Sequence, residues 1–257
     1  MLQSLFGLIY LSTLSQLVTL TGTQATCPIK FIPASVVVEY GSSVSVDCSM
    51  DATPDKIGWE TKVGSVSLEK AKLITWRVSD LRQWDIRPQC YMNYNRTAAC
   101  ESFLPVTVYK TPDSVSISTV NHTGPMIEGS QYELQCVIVN VAPVKSLIVK
   151  WFKGETEVKT KTFYDTIKTP VNVRSTLQIT ANRDDDGVQY RCEAELELGA
   201  DGPQPPPKVT SEPIQITVRY SPEDIKAVDI INFAGSHPTF IGYLIFLPML
   251  IALGIVV

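Results

Sequence analysis

Apolar and polar residues alternate with a period of two along several stretches of this chain, which is the pattern of half-buried β-strands. The longest stretch covers residues 188–198, where Glu193, Glu195 and Glu197 lie on the polar side. Shorter stretches with the same period occupy residues 44–48, 132–136, 147–151, 175–180 and 214–218. We therefore expect an all-β fold.

Cysteine and tryptophan positions on these strands indicate how the sheets pack. Cys136 and Cys192 each lie on an alternating strand, and Trp151 lies on a strand between them. Tyr190, two residues before the second cysteine, takes the place of the corner tyrosine of an immunoglobulin sandwich. The sequence predicts a Cys136–Cys192 disulfide and an immunoglobulin-like domain over residues 111–220.

The first half of the chain repeats this arrangement less regularly and adds two cysteines. Cys48, Trp59 and Cys90 follow the same order as the set in the second domain. The four cysteines of this half allow three connectivities, and choosing Cys48–Cys90 leaves Cys27–Cys100 as the second bridge. We expect two tandem immunoglobulin-like β-sandwich domains, stabilised by disulfides that form in an exported protein.

The N-terminal segment has the composition of a secretory signal. Residues 5–20 are largely apolar, and the small residues around Thr23 and Ala25 suit a signal peptidase. We expect residues 1–25 to be a signal peptide, with an uncleaved N-terminal anchor as the alternative. The first domain would then cover residues 26–110.

An apolar segment over residues 239–257 follows a stalk predicted for residues 221–238. The segment has no charged residue and no Lys or Arg after it, as in a glycosylphosphatidylinositol attachment signal. A short transmembrane helix is the alternative, because about 20 apolar residues can span a bilayer. Both place the protein on the extracellular face of the plasma membrane. The candidate attachment sites are Asn232, Ala234, Gly235 and Ser236.

Composition and motifs argue against several classes of function. A net charge of −4 gives no basic footprint for nucleic acid. There are two histidines, far apart in the sequence, and no recognisable nucleophile motif, so we expect neither an enzyme nor a small-molecule substrate. The sequons at Asn95 and Asn121 are predicted N-glycosylation sites.

Four further features have structural interpretations. The run Asp184–Asp186 lacks the ligand spacing of a calcium loop and is predicted to be a turn in which one aspartate pairs with a base such as Arg174. Pro203–Pro207 is expected to be a stiff connection between strands. Trp76 has the parity of a core residue. Trp84 is interpreted as an exposed interface residue or an ordinary packed one.

The first domain contains the motif Ile57-Gly58-Trp59-Glu60-Thr61, followed by Pro88-Gln89-Cys90-Tyr91-Met92-Asn93 and by the junction Leu104-Pro105-Val106-Thr107-Val108-Tyr109-Lys110-Thr111-Pro112. The second domain contains Lys153-Gly154-Glu155, Asp186-Gly187 before Tyr190-Arg191-Cys192, and Glu195-Leu196-Glu197-Leu198. In this order the motifs resemble the intercellular adhesion molecules, a family of integrin ligands, and most of all its short two-domain members. The resemblance covers about residues 40–220.

The resemblance implies a role for Glu60 in integrin binding. Thr61, the next residue of the motif, either orients the Glu60 carboxylate or merely suits a strand. Alternation along the strand places Glu60 in solvent if Trp59 is buried. In the family, this glutamate completes the coordination of a Mg²⁺ ion held by an inserted-domain integrin of leukocytes. The protein would need no cofactor or metal site of its own, since the partner supplies the ion.

The chain departs from the family pattern in two respects, and its function has one alternative interpretation. The family usually has a second pair of bridging cysteines where this chain has Ala52 and Tyr94, and an aliphatic residue where it has Trp59. The alternative function is that of a homophilic or structural surface protein, in which Glu60 is an ordinary solvated side chain.

Overall fold

The structure is a computed structural model, and it describes residues 27–94 and 98–220. The predictions for the signal peptide, for Asn95 and for residues 221–257 lie outside these ranges. The described residues form nineteen strands and two 3₁₀ turns, Val144–Ser146 and Arg183–Asp185. Among them there is no helix long and apolar enough to cross a membrane.

The first nine strands occupy the N-terminal half. They are β1 (Lys30–Ile32), β2 (Val36–Glu39), β3 (Val44–Ser49), β4 (Lys56–Glu60), β5 (Val66–Glu69), β6 (Leu73–Val78), β7 (Gln89–Tyr94), β8 (Ala98–Phe103) and β9 (Val106–Tyr109).

The other ten strands occupy the C-terminal half. They are β10 (Ser114–Thr119), β11 (Met126–Ile127), β12 (Gln131–Val141), β13 (Leu147–Lys153), β14 (Thr156–Thr162), β15 (Val171–Thr180), β16 (Gln189–Leu196), β17 (Lys208–Thr210), β18 (Ile214–Gln215) and β19 (Val218–Arg219).

These strands fall into two compact units. Of the described residues, the first unit contains 27–36, 41–81, 86–94 and 98–106. The second unit contains Val37–Tyr40, Arg82–Asp85 and residues 107–220.

Two sheets make up most of the first unit. One has the order β1-β3-β6, and the other has the order β5-β4-β7-β8. A two-stranded sheet pairs β2 with β9, and all residues of these two strands except Val36 and Val106 belong to the second unit. Trp59 and Trp76 fill the centre of the unit, with exposed fractions of 1% and 0% and ring centroids 6.0 Å apart. Trp76 is therefore a core residue, as its parity predicts.

The second unit repeats this plan with longer strands. One sheet has the order β10-β12-β15, and the other has the order β14-β13-β16-β17, in which β14 is an edge strand and β18 also pairs with β16. Trp151 is fully buried and donates its indole N–H to Ser175 Oγ over 3.0 Å. The structure confirms the predicted all-β fold with two immunoglobulin-type domains.

Two local features differ from the strand predictions. The stretch 214–218 is not one strand, because it changes partners: β18 pairs with β16 and β19 pairs with β11. Glu193, on the polar side of β16, is only 7% exposed. The neighbouring β17 covers it, and both Lys208 and Thr210 contact its carboxylate at 3.2 Å.

Candidate functional site

Glu60 is the last residue of β4, and its position follows from the alternation along that strand. Trp59 points into the core, where its ring stacks on Phe31 with centroids 5.5 Å apart. The side chain of Glu60 points the opposite way and is exposed. A carboxylate carried on a strand of a sheet is held more firmly than one on a loop.

The outer surface of the sheet β5-β4-β7-β8 surrounds this carboxylate, and we call it the Glu60 face. Strand register sets its composition: Glu60 pairs with Gln89, and Gln89 pairs with Phe103. In the next row of the same face, Gly58 pairs with Tyr91, which pairs with Glu101. The Glu60 face thus consists of Glu60, Gln89, Tyr91, Glu101 and Phe103, with Gly58 beneath the tyrosine.

Polar and aromatic contacts order this face. Gln89 Nε2 donates a hydrogen bond of 2.6 Å to Glu101 Oε2. The Arg87 guanidinium lies over the Phe103 ring, 4.7 Å from its centroid. The sequence motif contained Gln89 and Tyr91, and their parity could have placed them on one face. The contribution of Arg87 and Phe103 depends on strand register, which the sequence alone did not reveal.

Gly58 is required by the tyrosine that lies across it. A Cβ atom at this position would be 2.9 Å from both Cζ and Oη of Tyr91. Real Cβ atoms do not approach other heavy atoms so closely, so a side chain at Gly58 must displace the ring. The glycine of the motif therefore has a steric role beside Glu60.

The loop that follows Glu60 is fixed from both sides. Ser65 Oγ donates a hydrogen bond of 2.7 Å to the Thr61 carbonyl, and Trp76 Nε1 donates one of 2.9 Å to the Val63 carbonyl. Gly64 has a φ of +70°, and a Cβ there would lie 2.7 Å from the Arg77 carbonyl. These contacts hold the chain directly after the candidate carboxylate.

Thr61 does not present its hydroxyl to solvent. Its Oγ1 atom is buried and has no hydrogen-bond partner among the described residues. The Thr61 hydroxyl therefore makes no hydrogen bond to the Glu60 carboxylate. The structure places Thr61 beside Glu60 as a packed residue of the loop.

Three disulfides stabilise the two units. The structure joins Cys48 to Cys90 across the two main sheets of the first unit, with Cα atoms 6.4 Å apart. The same geometry recurs in the second unit, where Cys136 is joined to Cys192 at 6.3 Å. The third disulfide joins Cys27 to Cys100, on β8.

The acidic run 184–186 makes structural contacts, but its buried aspartate pairs with a different residue from the one expected. Asp185 is buried and pairs with Lys153, not with Arg174. The hydrogen bond between Lys153 and Asp185 raises the pKa of Lys153. Burial is the main cause of the raised pKa of the nearby Tyr190. Asp186 accepts a hydrogen bond of 2.8 Å from the Val218 amide. The run therefore ties the turn before β16 to neighbouring strands.

The Glu60 face does not include Trp84, Asn121 or Pro203–Pro207. Trp84 is half-buried and stacks on Tyr40, with ring centroids 4.2 Å apart. Asn121 is exposed in the turn after β10, where its φ is +52°. Pro203–Pro207 lies in the connection between β16 and β17. Asn95 and the candidate attachment sites 232 and 234–236 lie outside the described residues.

Paired β-sheets, a disulfide between them and a buried tryptophan beside it define each unit as an immunoglobulin-superfamily domain. Residues 24–114 match the family model of the intercellular adhesion molecule N-terminal domain, and residues 115–203 match that of the immunoglobulin I-set domain. The chain therefore belongs to the intercellular adhesion molecule family. Members of this family are adhesion proteins, and the chain is not an enzyme.

Individual relatives support this assignment. Intercellular adhesion molecule 1 of Pan troglodytes is 32% identical over 67% of this chain and 31% of its own length. The human intercellular adhesion molecule 1 is 29% identical over 66% of this chain and 31% of its length. Human intercellular adhesion molecule 5 is 24% identical over 66% of this chain. The chain thus spans about a third or less of the length of these relatives.

Solved structures show the same fold. The crystal structure of an ICAM-5 D1-D4 ectodomain fragment matches with a TM-score of 0.58 at 22% identity, covering 76% of this chain and 52% of that one. The full ectodomain of mouse nectin-like molecule 4 matches with a TM-score of 0.51 at 18% identity, covering 73% and 67%.

Proposed function

We propose that the protein is a cell-surface adhesion ligand that binds an inserted-domain integrin of leukocytes. In this proposal, Glu60 supplies a carboxylate oxygen to a divalent cation that the integrin holds. The protein itself contributes no metal and no cofactor. The observation that supports the proposal best is the exposed carboxylate at the end of a rigid strand, in a chain of this family.

The chemistry of Mg²⁺ suits this arrangement. The ion prefers six oxygen ligands at about 2.0–2.1 Å and often leaves part of its coordination shell to exchangeable ligands. A carboxylate from a second protein can fill such a position. Because the Glu60 face is ordered by its own contacts before binding, little additional ordering is needed when the proteins meet.

Thr61 takes part in this proposal by positioning. Its side chain is packed inward and its carbonyl accepts the Ser65 hydroxyl, so the residue fixes the direction in which β4 ends. The second domain serves as a spacer, glycosylated at Asn121, and Asn95 would carry a second glycan. Residues 239–257 would hold the protein at the plasma membrane through a lipid anchor or a transmembrane helix.

Leukocyte adhesion to cells that express the full chain tests the proposal. The parent and Glu60→Gln would be compared in Mg²⁺ and in EDTA, with surface amounts matched by antibody staining. Glu60→Gln keeps the shape of the side chain and removes its charge, so we expect it to lose most adhesion. Glu69→Gln, an exposed glutamate on the neighbouring strand β5, is the matched control and should adhere like the parent.

The outcomes separate the proposal from a homophilic function. Adhesion that disappears in EDTA and in Glu60→Gln supports the integrin ligand. Adhesion that persists in both, and that also occurs between two cells expressing the chain, supports homophilic contact and overturns the role of Glu60.

A further inference from the structure

We propose that Phe103 and Arg87 form a second contact point for the same partner that binds Glu60 through its cation. This inference rests on the proposed function and adds to it a site that does not involve the metal. The contact point lies on the Glu60 face, on the strand at its far edge.

The position of Phe103 is the first reason. Its side chain is 46% exposed although it is a large apolar residue. Strand register puts it in one row with Glu60, separated only by Gln89 on β7. Neighbouring strands lie about 4.8 Å apart, so the two side chains start about 10 Å from each other. A protein that reaches the Glu60 carboxylate with a metal ion therefore also covers Phe103.

The pairing with Arg87 is the second reason. The guanidinium stacks over the ring at 4.7 Å, and Arg87 lies two residues before Gln89, which begins β7 and pairs with Phe103. The stacking orders two side chains that would otherwise have to be ordered on binding. Aromatic residues and arginine are the side chains that most often dominate the binding energy of protein interfaces.

Charge complementarity identifies the occupant as the cation-bearing protein. A site that holds Mg²⁺ in a protein is built from oxygen ligands, commonly including carboxylates, so the surface around it is acidic. Arg87 presents a positive charge beside Phe103, at the edge of the Glu60 face. Glu101 on this face keeps its negative charge, since its hydrogen bond comes from the neutral Gln89 amide, so the complementarity with an acidic partner is carried by Arg87 alone. Glu60 and the Arg87–Phe103 pair would thus contact the ion and its acidic surroundings, respectively.

The test uses cells that express the full chain with Phe103→Ala, Arg87→Ala or Glu60→Gln, and it measures leukocyte adhesion over a range of Mg²⁺ and NaCl concentrations. We expect Phe103→Ala to weaken adhesion about tenfold, since truncation of an anchor residue typically costs more than 1 kcal/mol. Arg87→Ala should weaken adhesion less and reduce its salt dependence. Phe103→Tyr, which keeps the ring, should restore adhesion.

Leu73→Ala is the matched control, because Leu73 is 48% exposed on β6, in the other main sheet of the same unit. Leu73→Ala should adhere like the parent. If it loses as much adhesion as Phe103→Ala, truncating any exposed apolar residue of this unit has the same effect, and the inference is overturned. Parental adhesion of Phe103→Ala and Arg87→Ala, together with loss in Glu60→Gln, also overturns it and leaves the proposed function standing. Parental adhesion of Glu60→Gln overturns the proposed function itself.

Discussion

Trp76 and Trp59 allow a direct measurement of what one indole hydrogen bond contributes to the ordering of the candidate site. Both side chains are almost fully buried, so replacing either by phenylalanine removes a similar part of a ring from the core. Their hydrogen bonds differ. Trp76 Nε1 is 2.9 Å from the Val63 carbonyl, whereas Trp59 Nε1 is 3.4 Å from the Ile74 carbonyl.

The expected difference follows from these distances. A well-formed hydrogen bond contributes about 0.5–1.5 kcal/mol net, and the carbonyl left without its donor adds to the loss. We expect Trp76→Phe to be less stable than Trp59→Phe by about 1 kcal/mol, which corresponds to about 4–8 °C in the melting temperature of a domain of this size. Because Val63 lies in the loop after Glu60, Trp76→Phe should also weaken leukocyte adhesion.

Scanning calorimetry of the two variants and the parent measures the difference in the transition of the first unit. A melting temperature that falls equally in both variants would show that lost packing, and not the hydrogen bond, governs the effect. The Trp76–Val63 hydrogen bond would then not be what holds the loop.

Two further predictions concern other contacts. Gly58→Ala should displace the Tyr91 ring and reduce adhesion while changing the melting temperature little, because the atoms it meets are at the end of a movable side chain. Lys153→Met leaves the buried Asp185 without its partner and should destabilise the second unit by about 3 kcal/mol at pH 7 in urea unfolding. The hydrogen bond to Asp185 raises the pKa of Lys153, so the stability from this pair is fully present below the lysine's unfolded pKa and is lost as the pH rises through the raised folded pKa. The melting temperature of the parent should therefore fall more steeply above pH 10 than that of the variant. Unchanged adhesion of Gly58→Ala would contradict the first expectation. Melting temperatures of the parent and of Lys153→Met that fall in parallel with pH would contradict the second.

Much of the fold could be predicted from the sequence because the period-two pattern is strong on strands with one buried face. The alternation around Trp151 and Cys192 matches β13 and β16 closely, and the disulfide partners expected for each unit are the ones that the structure joins. The burial of Glu193 could not be predicted in this way. It depends on Lys208, which approaches from a strand whose register the pattern does not specify.

The candidate site could be predicted only in part, for the same reason. Parity along one strand was enough to place Glu60 in solvent opposite Trp59. The contacts that surround Glu60 involve Arg87 and Phe103, which are distant in sequence and meet only after β4, β7 and β8 pair in register. The sequence also did not reveal that the Thr61 hydroxyl is turned into the protein.

The edge strand β14 affects how this protein behaves at high density. An exposed edge offers free backbone hydrogen-bonding groups, so that sheets of neighbouring molecules can join and aggregate. Its sequence Thr-Glu-Val-Lys-Thr-Lys-Thr places an exposed Lys159 and a half-buried Lys161 on that edge. Pairing of two such strands would strip water from these ammonium groups. The edge is therefore protected against the sheet-to-sheet association that would otherwise cause molecules crowded on one surface to precipitate.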